Sequence, residues 1–292
     1  MRMKLQVAGS RLQVLRRDLA LRPTFNLRLS TFNLRRAFTL IELLVVITIL
    51  GILAGLAVPA LKNLGKSNVQ VSASRQLLDD VGRARQLAIS QRTTVYMVFV
   101  PAIWNLAPAY QTAALTNLLD KQYTGYNFLS LRSVGDQPGR NTVRYLSDWK
   151  ALPDGAFIAV AKYDQANYHP PNNYFSINDS VASYRISSFY TNGFPFPAET
   201  NFSFMLPYVA FNYLGQLTLR TAAGEVAAVQ DEIVPLAQGT VAYAADPNTK
   251  ALQFAQPDAT ENPPGNSTNS MFNLIRIDHL TGRAVAVRQQ VQ

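Results

Sequence analysis

The chain has 292 residues, of which 48% are hydrophobic and 15% charged; this excludes a disordered polymer and leaves room for one or two packed domains. It has no cysteine, which excludes disulfides, thiolate metal sites and thiol catalysis, so an exported domain must rely on its core. The net charge of +9 is unevenly spread: residues 1–37 hold nine basic side chains against Asp18 alone, and residues 38–292 carry 18 basic against 17 acidic groups.

The basic character therefore belongs to residues 1–37 and does not argue for a nucleic-acid-binding body. Lys and Arg that flank a membrane span stay on its cytoplasmic side. Within this leader Thr24-Phe25-Asn26-Leu27-Arg28 recurs seven residues later as Thr31-Phe32-Asn33-Leu34-Arg35. Three readings stand open: a solvated cytoplasmic tail, a basic amphipathic helix lying on anionic lipid, and a translation start downstream of Met1.

Residues 38–61 form an apolar run whose only charge is Glu42. As a helix its 24 residues reach roughly 36 Å, enough for a hydrocarbon core of ~30 Å. The one carboxylate costs less near the end of the span than at its centre, and it complements the positive end of the helix dipole. Gly51 and Gly55 make a Gly-x-x-x-Gly pair that lets helix backbones approach closely. Pro59 predicts a kink or weakened turn at residues 55–59. A secretory signal places its small-residue cleavage site after the apolar core. Here the small residue, Ala37, precedes it, so a cut there leaves the helix on the mature chain.

The stretch Phe38-Thr39-Leu40-Ile41-Glu42-Leu43-Leu44-Val45-Val46-Ile47 resembles the processing and methylation motif of type IV prepilins and type II secretion pseudopilins. The resemblance covers residues 35–62. It implies that a membrane prepilin peptidase cuts Ala37–Phe38 and methylates the new amine of Phe38. Ala37 stands where the family usually has glycine. Glu42, fifth in the mature chain, matches the family's glutamate, which pairs with the terminal amine of a neighbouring subunit. Pro59 matches the family's helix-kinking proline.

Residues 62–92 continue the helix outside the apolar run. Ala73, Leu77, Val81, Ala84 and Ala88 recur at spacings of three and four, an amphipathic stripe packing on the chain's own domain. Asp79, Asp80, Arg83, Arg85 and Arg92 are expected on the solvated faces. The passage Arg83–Val95 resembles the helix-to-strand step of the GspH/FimT-like minor pseudopilins.

Residues 93–292 read as an exported β-rich body. Residues 94–100 form a first strand ending at Pro101, and residues 112–119 a short helix. Pro153-Asp154-Gly155 is a turn that feeds a strand to Val160. Residues 163–207, rich in Tyr, Asn, Ser, Phe and Pro, read as a long decorated loop or insertion. Residues 208–219 suggest two strands around Gly215, residues 225–245 hold further strands, and residues 262–270 are a loop by composition. A terminal hairpin joins 273–278 to 283–287 through Leu280-Thr281-Gly282. Leu152-Pro153-Asp154-Gly155 and Thr281-Gly282-Arg283 are also similar to steps of the GspH-like group.

No catalytic constellation stands out. His169 and His279 sit in no metal-like cluster. Asp154, Asp231 and Glu232 read as solvated carboxylates at turns, and Asp246-Pro247-Asn248 lacks the ligand spacing of a calcium loop. Arg276, Arg283 and Arg288 gather near the C-terminus. Some FimT-like minor pilins bind DNA through a C-terminal Gly-Arg-x-Arg motif, whereas Gly282-Arg283-Ala284-Val285 lacks the second arginine and the body is nearly neutral.

The expected architecture is α+β and pilin-like: a long N-terminal helix on an antiparallel sheet with a loop-rich insertion. Its segments are a cleaved cytoplasmic leader 1–37, a transmembrane helix 38–61, an amphipathic continuation 62–92 and a globular domain 93–292. The resemblance implies a non-enzymatic minor pseudopilin or pilin of a type II secretion pseudopilus or type IV pilus. It would sit in the inner membrane with its N-terminus cytoplasmic and its body periplasmic. The implied partners are prepilin peptidase, other pilin or pseudopilin subunits and the membrane, with no metal and no cofactor. The alternative is a FimT-like minor pilin whose body binds DNA, a partner the residues disfavour, or secreted cargo.

Overall fold

A computed structural model describes residues 39–104, 110–133, 135–137, 141–164, 175–178, 183–267 and 273–288, with side chains 56–68, 175–178 and 183–184 outside the description. Cleavage position Ala37–Phe38, the leader and His169 lie outside the described residues. Two compact units divide at Leu53 and Ala54.

The first helix, α1, spans Leu40–Gln91, and its assignment runs on through Pro59. Within the first unit it is mostly aliphatic, interrupted by Glu42, Thr48 and Gly51, with good helix propensity in Leu and rigid rotamers in Val and Ile. Among the described residues no helix is long and apolar enough to cross a membrane. The fully described part of the apolar run, Leu40–Gly55, is shorter than the about 20 residues a bilayer takes.

The second unit is built by the rest of α1 and antiparallel strands. In chain order these are β1 Val95–Phe99, the short helix α2 Ala113–Thr116, β2 Gly125–Ser130, β3 Arg144–Tyr145, β4 Lys150–Ala151 and β5 Ala156–Ile158. They continue with β6 Phe175–Asn178, β7 Ser183–Ile186, β8 Tyr190–Pro195, β9 Ser203–Phe211, β10 Leu217–Thr221, β11 Gly224–Ala227 and β12 Glu232–Ala242. The last are β13 Asp258–Glu261, β14 Asn273–Ile277 and β15 Ala284–Arg288. One sheet runs β11-β10-β9-β1-β2-β3, with β4 on β2 and β8 on β9; a second runs β13-β12-β14-β15, with β5 on β12. β6 and β7 pair as a separate ribbon. The architecture is α+β, a helix followed by antiparallel sheets, consistent with a pilin-like fold.

The helical stripe read from the sequence is the core of this unit. Ala73, Leu77, Val81, Ala84 and Ala88 are all fully buried and pack with Met97, Phe128, Val209 and Phe211 of the first sheet and Leu236 and Ile275 of the second. Three alanines in the stripe let the helix backbone lie close to both sheets. The other face of the first sheet is buried as well: Tyr96, Val98, Leu206 and Tyr208 pack against Phe194, Phe196 and Leu115. Burial on both faces explains why β1 reads as a continuous apolar run rather than an alternating one.

Two expectations are corrected. Residues 163–207 are not one long loop; they contain β6, β7, β8 and the start of β9, and β8 pairs with β9 from Tyr190↔Tyr208 to Pro195↔Ser203. The aromatic residues that suggested decoration, Phe189, Phe194 and Phe196, are fully buried, and Asn192, Gly193 and Pro195 between them lie within β8. Asp80 is not on a solvated face but 6% exposed. It lies one turn from Leu77 and Ala84 on the packed side, where Tyr126 donates to it at 2.6 Å and Lys150 forms an ion pair with it. Gln76 completes the cluster by donating to Tyr126 Oη and the Ala151 carbonyl, each at 2.8 Å.

A second buried pair was equally hidden. Lys162 is fully buried under the ring of Phe189, donates to the Ser187 carbonyl at 2.7 Å and pairs with Glu232. Glu232 is therefore a structural anion rather than a solvated one. Burial lowers the pKa of Lys162, opposed by Glu232, which raises it. Removing Glu232 strands a cation, whereas removing Lys162 leaves a carboxylate that retains 12% exposure and can turn to water. Glu232→Ala is expected to cost about 3–5 kcal/mol and Lys162→Met distinctly less. Chemical denaturation of the detergent-solubilised chain checks the order, and equal losses would contradict it.

Candidate functional site

The described part of the N-terminal motif is a capped, uncovered helix start. Thr39 acts as the N-cap: its hydroxyl accepts from the Glu42 N–H at 3.2 Å, and its carbonyl accepts from the Leu43 N–H at 3.1 Å. The spacing Thr39-x-x-Glu42 is that of a capping box, which satisfies a backbone donor left over at every helix start. This second use of Thr39 was legible in the sequence from its position three residues before a glutamate.

Beyond the cap, every large apolar side chain from Leu40 to Leu53 is at least 43% exposed. A Cβ placed on Gly51 or Gly55 meets nothing within 4 Å. Thr48, the one hydroxyl in Leu43–Gly55, is satisfied internally, donating to the Leu44 and Val45 carbonyls at 3.0 and 2.8 Å. Among the described residues Glu42 is then the one charged group on this apolar surface, and its carboxylate has no partner there. An apolar surface this continuous needs lipid or other helices to cover it, and the carboxylate needs a cation.

The C-terminal arginines do not form one patch. The β14–β15 register sets Arg276 opposite Val285 and Arg288 opposite Asn273. With side chains alternating along each strand, Arg276 and Arg288 lie on opposite faces. Arg276 is turned towards Asp231, with Nε 3.7 Å from its carboxylate. Arg283 lies in the turn before β15, where its N–H donates to Thr281 Oγ1 at 3.3 Å. Gly282, at φ +62°, faces the Gly215 carbonyl so closely that a Cβ would stand 2.0 Å from the oxygen. Glycine at this step is required by packing of the terminal hairpin on the β9–β10 turn.

His279 does sit in a cluster, contrary to the sequence reading. Asp231, Asp278 and His279 bring one ligand atom each within 4.8 Å of the others. Several of their polar atoms are engaged within the chain. Asp231 takes the His279 N–H at 3.0 Å and bonds His279 Nδ1 at 2.7 Å, while Asp278 takes the Thr281 N–H and hydroxyl at 2.7 and 2.8 Å. The Thr281 bonds hold the Asp278 carboxyl below the usual carboxylate range. The cluster therefore fastens the terminal hairpin to the segment before β12, and Asp231 is an anchor rather than a free carboxylate.

A scan against protein families matches residues 32–58 to the prokaryotic N-terminal methylation motif. No curated protein and no solved structure matches the chain.

Asp231→Ala removes both bonds to His279 and the Arg276 contact. An expected loss of about 1–2 kcal/mol is measurable by urea denaturation. Calcium or zinc should leave the melting temperature of the native chain unchanged. A saturable rise, absent in Asp278→Asn, would instead mark a metal site.

Proposed function

We propose, from an N-terminal methylation motif that supports the type IV prepilin and pseudopilin family, that this chain is a structural subunit of a type II secretion pseudopilus or type IV pilus. The observation that carries the proposal is the unpaired Glu42 at the start of an apolar, uncovered helix. Prepilin peptidase cuts Ala37–Phe38 and the new amine is methylated. Residues 38–61 then hold the subunit in the inner membrane, with the body of residues 93–292 on the far side of it.

The cut creates the cation that Glu42 lacks. Before it, the Phe38 nitrogen is a neutral amide; after it, an amine with a pKa near 8. A carboxylate and an ammonium on neighbouring subunits each relieve the other's desolvation, and either alone in low dielectric is heavily penalised. This sets the axial position of one subunit against the next, which apolar packing alone leaves loosely specified. Gly51 and Gly55 offer the open face on which a second helix can approach closely.

The leader's charge fits the same sequence of events. Nine basic side chains in residues 1–37 hold the N-terminus on the anionic cytoplasmic surface, each by about 1 kcal/mol when close to it. Cleavage removes that tether and leaves a nearly neutral mature chain. A minor, GspH/FimT-like position agrees with the passage Arg83–Val95. DNA binding through Arg276, Arg283 and Arg288 gains no support from their placement.

The test is Glu42→Gln in cells that assemble the filament. Membrane insertion and processing should persist, while the amount of the subunit in sheared filaments falls at least tenfold. Incorporation at the native level would remove the assembly role of Glu42.

A further inference from the structure

A pocket of about 490 Å³ opens where α1 gives way to β1, beside the end of β2 and the β10–β11 hairpin. Arg92, Arg132 and Arg220 line it, with Glu225, Tyr96 and Tyr213. The volume lies within the range of small-molecule sites.

The three arginines are held by their backbones and free at their heads. Arg92 ends α1 in the left-handed region at φ 51°, a conformation that favours glycine. Its N–H donates to the Ile89 carbonyl at 3.4 Å, and the Thr93 N–H to that of Ala88 at 3.2 Å. Two of the helix-terminal carbonyls, those of Ala88 and Ile89, are thereby taken. The Arg132 carbonyl accepts from the Thr93 and Ser130 hydroxyls at 3.3 and 2.6 Å, and the Arg220 N–H donates to Tyr208 Oη at 2.8 Å. Among the described residues none of the three guanidinium groups forms an ion pair. Glu225, directly opposite Arg220 in the hairpin register, accepts from the Thr94 and Tyr96 hydroxyls with its two carboxylate oxygens and forms no ion pair with Arg220 among the described residues.

Among the described lining residues, three cations against one carboxylate leave an excess of two positive charges. A phosphate monoester carries about −1.5 to −2 at neutral pH, and arginine forks match its oxygens in bidentate fashion. Glu225, with lone pairs to spare, suits a hydroxyl donor on the same ligand rather than a bare ion. We propose that this pocket binds a phosphate monoester of a sugar or polyol, the arginines taking the phosphate and Glu225 a hydroxyl. A backbone position that would relax with glycine, yet carries an arginine aimed at a pocket, is the pattern of strain retained at a binding site. This site is independent of the N-terminal motif.

Calorimetry on the full chain in neutral detergent at low salt tests it, with glucose 6-phosphate, inorganic phosphate and glucose as probes. Saturable binding of glucose 6-phosphate is expected, with inorganic phosphate weaker and glucose silent. Arg132→Ala and Arg220→Ala should each weaken glucose 6-phosphate at least tenfold. Glu225→Gln should weaken glucose 6-phosphate but not inorganic phosphate. Arg92→Gly separates binding from folding: it should weaken the ligand while leaving the melting temperature unchanged or higher. No saturable glucose 6-phosphate binding by the native chain, or equal binding by the arginine variants, would overturn the proposal.

Discussion

Glu42 faces a constraint that the first unit cannot satisfy by itself. The hydroxyl of Thr48 bonds back to its own helix and that of Thr39 takes the Glu42 N–H, so local structure engages both hydroxyls described in the run. The Glu42 carboxylate is what remains. An aliphatic helix with one unpaired charge is stable only where something else supplies both an apolar surround and a cation. The proposed processing supplies the cation from the same type of chain, one subunit away, and makes it appear only after the leader has gone.

The second unit solves the opposite problem. Its part of α1 is covered on the packed side by two sheets, and its buried charges, Asp80 and Lys162, are paired within the chain. Asp80 meets Lys150 and Tyr126, Glu232 meets Lys162, and Asp231 meets His279. Each pair joins residues far apart in sequence: the first ties α1 to the first sheet, and the last fastens neighbouring strands of the second sheet at their ends. Because α1 carries both the uncovered start and the buried stripe, displacing the helix from the sheets would expose Ala73, Leu77 and Val81 at about 25 cal/mol per Å² of apolar surface.

Local patterns were legible and long-range pairings were not. The stripe at Ala73, Leu77, Val81, Ala84 and Ala88, the β1 run and the hairpin of β14 and β15 follow from periodicities of 3.6 and 2 and from turn residues. Asp80 was misplaced because a charge on a helix is ordinarily solvated, and only Lys150, seventy residues on, makes its burial tolerable. Residues 163–207 looked like a loop because Asn, Gly and Pro break the alternation, while the partner of β8 lies in β9 outside any local window. Arg276 and Arg288 looked like neighbours in sequence, yet strand register sends them to opposite faces. The N-terminal motif was readable because its elements, basic pair, small residue, apolar run and glutamate, are all local.

The central claim is that the mature chain begins at Phe38 and that its amine is what Glu42 needs. N-terminal mass spectrometry of the membrane-bound protein from cells that make prepilin peptidase tests it most directly. The account predicts a methylated Phe38 as the first residue. A membrane form that still carries the residues before Phe38 in such cells would contradict it.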